Sequence, residues 1–387
     1  MSGRREVALV IDPTKPYDRR IISGVASYVQ TEAPEWSIYV EEDAIGRLPD
    51  LEAWAGDGIL ANFDNRRVAR AVLKLGIPVV GIGGGYGYYK QDTGTPYVRT
   101  DNKAIAELGA SHLMNLGFYH FAFCGEPPNR FNGWVQERRK AFQLYLTRAG
   151  YSCDIYTGRH IPARNWRQLQ KGLQNWLTTL PTPIGVMACN DSRARHVLQA
   201  CRERGLHVPE DVAIVGVDND DIMCELSRPS LTSIEQGTRR IGYEAAATLN
   251  ALMLGEQSQQ RTTVQPEGLV SRQSTDILAI DDEDVAAALS FIREHACDPI
   301  RVKNVLERVN ISRSAIESKF GELLGRTVHA EIRRVQLEYA TRLLKTSNMP
   351  IKKIASEIGA SSVQYFSAMI RHETGRSAGD IRREAQR

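Results

Sequence analysis

Residues 184–219 read IGVMACNDSRARHVLQACRERGLHVPEDVAIVGVDN. Ile184–Ala188 is a near-continuous apolar run, Ser192–Arg204 is amphipathic at helical spacing, and Val212–Val217 is apolar again. Apolar runs of this length on either side of one helix suit a parallel sheet buried on both faces. The rhythm extends towards the N-terminus. Strands are expected at Val7–Ile11, Trp36–Val40, Gly58–Leu60, Ile77–Ile82, Phe121–Cys124 and Asp154–Tyr156. Helices are expected from about Asp18, where Ile21, Ile22, Val25 and Val29 share a face, and over Arg66–Leu75, Ala104–Leu116, Gln136–Ala149 and Trp166–Leu177. About 270 residues of such alternation is roomy for one doubly wound sheet, so two lobes with a cleft between them are predicted.

The whole chain has 387 residues, enough for two or three domains, and its 42% hydrophobic and 25% charged content is that of an ordinary globular protein. No apolar stretch approaches the roughly 18 residues of a membrane helix, and the first residues carry no secretion signal. A cytoplasmic protein without a membrane partner is expected. The six cysteines (Cys124, Cys153, Cys189, Cys201, Cys224 and Cys297) show no C-x-x-C pair or nearby His partners, so neither a metal site nor a disulfide framework is expected. The net charge of +3 hides an asymmetry. Residues 285–387 hold 18 Lys and Arg against 11 Asp and Glu, whereas the other 284 residues hold 31 against 35. A basic tail on a faintly acidic body implies different partners for the two parts.

The pattern changes after Ser274. Acidic residues Asp281–Asp284 precede an amphipathic helix, Val285–His295, and read as a solvated linker (276–284) with carboxylates suited to a helix N-terminus. From there to the end only helices are expected. Val302, Lys303, Val305, Leu306 and Val309 recur as Ile351, Lys352, Ile354, Ala355 and Ile358, an offset of 49. After one extra residue, Ser312, Ile316, Phe320, Gly325 and Arg326 recur as Ser362, Phe366, Ile370, Gly375 and Arg376. Each copy has a short helix, a turn at Asn310 or Gly359, a capping Ser and a second helix, which is a helix-turn-helix layout. The units are expected at about 302–324 and 351–373, joined by a long helix over Ile332–Leu344. Two copies in register on a basic tail point to double-stranded DNA, in the form of an operator or promoter.

The tail resembles the DNA-binding domain of arabinose-operon-regulator (AraC) type transcription factors. VKNVLERVNISRSAIESKFGELLGRTVHAEIRRVQLEYATRLL and MPIKKIASEIGASSVQYFSAMIRHETGRSAGDIRR carry the likeness. Ala378 and Ile381 depart from the Pro and Tyr usual in the closing motif, and Ala360 from a common Phe; all three are packing positions. The resemblance implies that Arg313, Ser314, Glu317 and Ser318 on the first recognition helix, and Ser362, Val363, Gln364 and Ser367 on the second, face the bases. Arg and Gln suit bidentate contacts to guanine and adenine. Lys352, Lys353, Arg371 and Arg376 read as phosphate contacts.

In the body no G-x-S-x-G, H-E-x-x-H or P-loop occurs, and the histidines stand singly, so no catalytic residue and no cofactor is assigned. The glycine-rich run Gly81–Gly87 follows a strand but opens no helix, which makes it weak as a phosphate loop. Polar residues cluster instead just after strand ends, where open α/β sheets bind ligands. Tyr17 and Asp18 follow the first strand, Glu126–Trp134 and Arg138 follow Phe121–Cys124, Asn190 and Asp191 follow Ala188, and Asp218 follows Val217. Carboxylates, amides and an Arg around an aromatic ring suit a sugar, whose hydroxyls donate to Asp and accept from Arg. The order DN…HL (from Asp101), R-x-x-A-F (Arg138–Phe142), ACND (188–191) and VPEDVAIVGVDN (208–219) resembles the effector-binding core of lactose-repressor-type regulators. That likeness implies a periplasmic-binding-protein-like fold over about residues 5–272 and a sugar held by Arg138, by Asn190 or Asp191, and by Asp218. The N-terminal DNA-binding headpiece of those regulators is not expected here, because the first strand starts near Val7. With the tail, and with YDRRIISGV, EWSIYVEED and GDGILANFD, the combination resembles the family of xylose operon regulators. This implies D-xylose as effector, a homodimer, and RNA polymerase as partner if the protein activates. Two other readings stay open: a regulator responding to another aldose, a nucleobase or an amino acid, and an α/β sugar-modifying enzyme with a basic tail.

Overall fold

The computed structural model describes residues 4–41, 54–83, 94–129, 132–158, 165–276, 282–295, 298, 300–324, 326–347, 349–360 and 362–385. Residues 84–87 of the glycine-rich run, His160, Asp281, Cys297 and Gly325 lie outside these. The chain divides into two compact units, Met1–Ile277 and Leu278–Arg387.

The first unit carries two parallel sheets built on one plan. β1 (Arg5–Val10), β2 (Trp36–Val40), β3 (Gly58–Asn62), β4 (Val79–Ile82) and β5 (Tyr97–Thr100) belong to the first sheet, with helices α1 (Pro16–Thr31) and α2 (Arg66–Val72) between them. The chain then crosses at Asp101 into α3 (Asn102–Asn115), β6 (Phe121–Cys124), α4 (Gly133–Arg148), β7 (Asp154–Tyr156), α5 (Trp166–Leu177), β8 (Ile184–Ala188), α6 (Asp191–Arg204), β9 (Val212–Val217), α7 (Asp221–Leu226) and β10 (Thr232–Glu235). It crosses back at Gln236–Gly237 to α8 (Thr238–Met253) and β11 (Arg261–Val264), and a third time to β12 (Gly268–Val270). The sheets run β11-β5-β4-β3-β1-β2 and β12-β10-β9-β8-β6-β7. Every pairing is parallel except β10 with β12. Both sheets carry the order reversal beside their first strand that opens a crevice at the carboxyl ends.

The strands expected from apolar runs are present. The central ones are buried from both faces, as in all of β9 and the last four residues of β1, whereas β2 and β7 at the sheet edges are only partly covered. α8 lies in a stretch where no periodicity was assigned, yet it closes the first lobe. Ile241, Ala245, Ala246 and Leu249 join Val7, Leu9, Ile21 and Val25 in one core. α8 crosses α1 at two glycines. A Cβ on Gly24 would stand 1.9 Å from the Arg239 carbonyl oxygen, and one on Gly242 would stand 2.0 Å from that of Ile21.

In the second unit, α9 (Glu283–Glu294) packs against α10 (Val302–Val309), α11 (Arg313–Leu324) and α12 (Val328–Thr346). α9 starts two residues earlier than its apolar pattern suggests. The Asp282 carboxylate accepts from the Asp284 and Val285 amides, both at 3.1 Å, so part of the acidic run is helix cap rather than linker. α13 (Ile351–Glu357), α14 (Val363–Thr374) and α15 (Ala378–Ala385) complete the unit. Turn residues Asn310 and Gly359 both adopt the left-handed conformation that lets the chain reverse between helices. Ala378 and Ile381 are buried with Ile354, Phe366 and Ile370 in one cluster, so the departures from the family pattern fill packing positions.

Candidate functional site

A cavity of about 550 Å³ lies between the two lobes of the first unit. Tyr17, Asp18, Trp134, Arg138, Asn190 and Asp218 all line it, as do Asp12, Lys15, Asn62, Asp64, Asn102, Glu126, Asn129, Asn132 and Gln236. A small ligand enclosed by apolar walls with a few converging polar groups is what such a volume suits.

Arg138 is the centre of this arrangement. It projects from the second turn of α4 and is 2% exposed. Its Nη2 donates to Asn102 Oδ1 (2.8 Å) and Gln236 Oε1 (3.1 Å), its Nη1 donates to the Cys189 carbonyl, and its guanidinium stands 5.1 Å from the Trp134 ring centroid. Gln236, at the second crossing, in turn donates to the Asp218 carboxylate. One side chain therefore organises the ends of β8 and β9 and the hinge. Asp218 has φ of 116°, a conformation few residues other than glycine adopt, and Asn219 follows at 49°. Arg20 of α1 reaches across from the other lobe and donates to the Asp218 carbonyl (2.7 Å) and to that of Asn219. Burial pushes the Asp218 carboxyl above the ordinary range, and Arg138 opposes that shift.

Asp191 does not line the cavity. As the first residue of α6 it turns beneath β9, where it accepts from Ser233 Oγ (2.5 Å) and the Asp220 amide (2.9 Å). It props the turn that carries Asp218 and is not a cavity contact. Asn190 does line the cavity while its Oδ1 caps α6 through the Arg193 amide at 2.8 Å. Asn62, Asp64 and Gln236 were missed, although each stands at or just beyond a strand end, where the same rule would have found it.

Asp18 is 2% exposed, and burial, opposed in part by Lys15, pushes its carboxyl up to about 7. Folded protein therefore keeps a proton there that the unfolded chain releases near pH 4. The unfolding free energy contributed by this group falls as pH rises from about 4 to about 7, by at most about 1.4 kcal/mol per unit, and levels off above. Asp18→Asn should remove that part of the slope. Urea unfolding of parent and variant at several pH values checks it; parallel curves would show that Asp18 titrates normally.

On the second unit, Arg313, Ser314, Ser318, Gln364 and Ser367 are exposed on α11 and α14, and Lys352, Lys353, Arg371 and Arg376 are exposed around them. Gln364, Ser367 and Arg371 fall at i, i+3 and i+7, on one stripe. Three expected base contacts have other duties. Glu317 accepts from the Val328 amide (3.1 Å) and so caps α12. Ser362 caps α14 through the Tyr365 amide (3.0 Å), and Val363 packs on the core. Ser362 is nonetheless exposed, whereas Glu317 and Val363 are half-buried.

Comparison with known proteins covers both units. Residues 6–103 match the XylR N-terminal domain family, 110–275 the periplasmic binding protein-like domain and 305–384 a helix-turn-helix domain. The chain is 37% identical over 369 residues to the xylose operon regulatory protein of Escherichia coli (strain K12), covering 95% of this chain and 94% of that one. It is 36% identical to the protein of the same name from Haemophilus influenzae, covering 95% of each. A solved structure of the xylose-binding transcription activator xylR superposes with a TM-score of 0.82 at 36% identity, covering 99% of this chain and 98% of that one. The dimeric Lac repressor, at 21% identity and a TM-score of 0.58 over 71% of this chain and all of that one, shares the fold of the sensor region. Among the described residues no helix is long and apolar enough to cross a membrane.

Proposed function

Since the chain belongs to the family of xylose operon regulatory proteins, we propose that it is a D-xylose-dependent activator of pentose catabolism genes. It acts in the cytoplasm as a homodimer that recruits RNA polymerase, and it catalyses no reaction. The observation that carries the reading is Arg138, buried between the two lobes and bonded to both the hinge and the ends of the ligand-facing strands. Arg138 and Asp218 hold the sugar hydroxyls, Asn190 and Asp18 orient it, and Trp134 and Tyr17 cover its apolar side. Sugar stabilises one arrangement of the lobes and shifts the affinity for DNA by no more than its differential affinity for the two states. Calorimetric titration of the full chain against pentoses, hexoses and purines tests the ligand. Tightest binding to a purine or a hexose would replace D-xylose as effector.

The DNA contacts divide by type. The two recognition helices read major-groove segments about 34 Å apart on one face of the duplex. Arg313→Ala should relax base preference by about 1–3 kcal/mol of discrimination at one position. Lys353→Ala should weaken binding to all sequences alike and reduce the salt slope by about one. Selection from random duplexes together with salt titration separates these outcomes; an unchanged base preference in Arg313→Ala would remove that residue from readout.

A further inference from the structure

The segment that leaves the sensor is pinned to the turn that presents Asp218. Arg272, after β12, inserts a side chain only 12% exposed beneath that turn. Its Nη2 donates to Asn219 Oδ1 at 2.8 Å, its Nη1 to the Leu231 carbonyl at 2.9 Å, and its Nε lies 3.3 Å from Glu225. Ser274 and Thr275, two and three residues further on, are locked as well. Ser274 Oγ donates to the Ile214 carbonyl on β9 (2.6 Å), and Thr275 Oγ1 lies 2.8 Å from Thr232 Oγ1. Both are buried, at 0% and 1% exposure, directly before the boundary with the DNA-binding unit. On its other side the same turn is gripped by Arg20 from the opposite lobe. Asp218 lines the cavity, its carbonyl meets the other lobe, and Asn219 meets the exit.

We propose that Arg272 is a coupling residue: through Asn219 it transmits the closure of the lobes around the sugar to the segment leading into the DNA-binding unit. This rests on the sensor reading above. The physical ground is that a left-handed turn of two non-glycine residues has few alternative geometries, so a shift of Asp218 or Arg20 moves Asn219 as a body. A guanidinium holding acceptors on Asn219, Leu231 and Glu225 then carries that shift to residue 272, where a lysine, a point charge on a flexible stem, would not. Arg272 and the Asn219 side chain lie outside the cavity lining, so sugar contacts survive their loss.

The test uses the full chain, D-xylose, and a duplex selected from random sequence for binding by the parent in the presence of D-xylose. Sugar affinity is measured by calorimetry without DNA, and duplex affinity with and without sugar. In the parent the ratio of the two duplex affinities should lie in the range of about 5–150 common for allosteric coupling. Arg272→Lys keeps the charge, and Asn219→Gly keeps the left-handed conformation. In both, the ratio should fall to within about twofold of unity, while sugar affinity and sugar-free duplex affinity stay within about threefold of the parent. A ratio that stays at the parental value in both variants overturns the proposal. So does a ratio lost only in step with sugar affinity, which would make Arg272 a prop of the sugar site. A parent that binds no D-xylose, or shows no ratio, refutes the sensor reading instead, and that result is visible before any variant is made.

Discussion

Replacing Arg138 with alanine is expected to abolish the response to sugar while sugar-free binding to DNA persists. The guanidinium is buried and satisfies acceptors on Asn102, Cys189 and Gln236, so its loss strands three groups as well as the ligand. Losing a hydrogen bond to a charged group typically costs about 1.5–3 kcal/mol, or tenfold and more in affinity. Asp218 would also lose the positive charge that opposes its upward shift, so more of it would be protonated near neutrality. Arg138→Lys should fail almost as badly, since an ammonium cannot reproduce the fork. Calorimetry and a thermal melt of each variant distinguish a dead site from an unfolded lobe. Parental sugar affinity in Arg138→Ala would show that the ligand sits elsewhere.

Gly242→Ala is the second large expected effect, and it concerns folding alone. The added methyl would meet the Ile21 carbonyl carbon and the Val25 nitrogen at 2.9 Å and the Ile21 oxygen at 2.0 Å, all backbone atoms that no rotamer change can move aside. Forcing α1 and α8 apart opens the core of the first lobe, and overpacking of this kind costs about 1–3 kcal/mol or more. The midpoint of urea unfolding should fall with little change in slope. Gly76→Ala is a useful contrast: open space surrounds that position, so any cost there comes from its positive φ rather than from a clash.

The sequence reading placed the buried strands well for a physical reason. Runs such as VAIVGV are apolar throughout because helices cover both faces, and no half-polar alternation blurs them. β5 (YVRT) and β11 (RTTV) mix polar residues into short strands towards the sheet edge, and so escaped notice. The site was legible where a polar residue follows an apolar run, as with Asp218. Residue type does not reveal which way a helical side chain turns, so the surroundings of Asp191 and Glu317 were not legible. Asp191 turns under β9, and Glu317 turns towards the amide of Val328. Gln236 escaped because its importance comes from joining Arg138 to Asp218, residues 98 and 18 positions away.

The repeated crossing of the chain between lobes also governs the order in which the protein can form during synthesis. Strands of the first sheet are complete up to Thr100, but α8 and β11, which finish its core, end at Val264. At a translation rate of about 5–20 residues per second, that interval lasts on the order of ten to thirty seconds. For most of it, until α8 is made, Leu9, Ile21 and Val25 have no Ile241 or Ala245 to meet. The nascent first lobe is therefore the stretch on which chaperones have longest to act. The DNA-binding unit, continuous in sequence, closes its own core as soon as its last helix has left the ribosome.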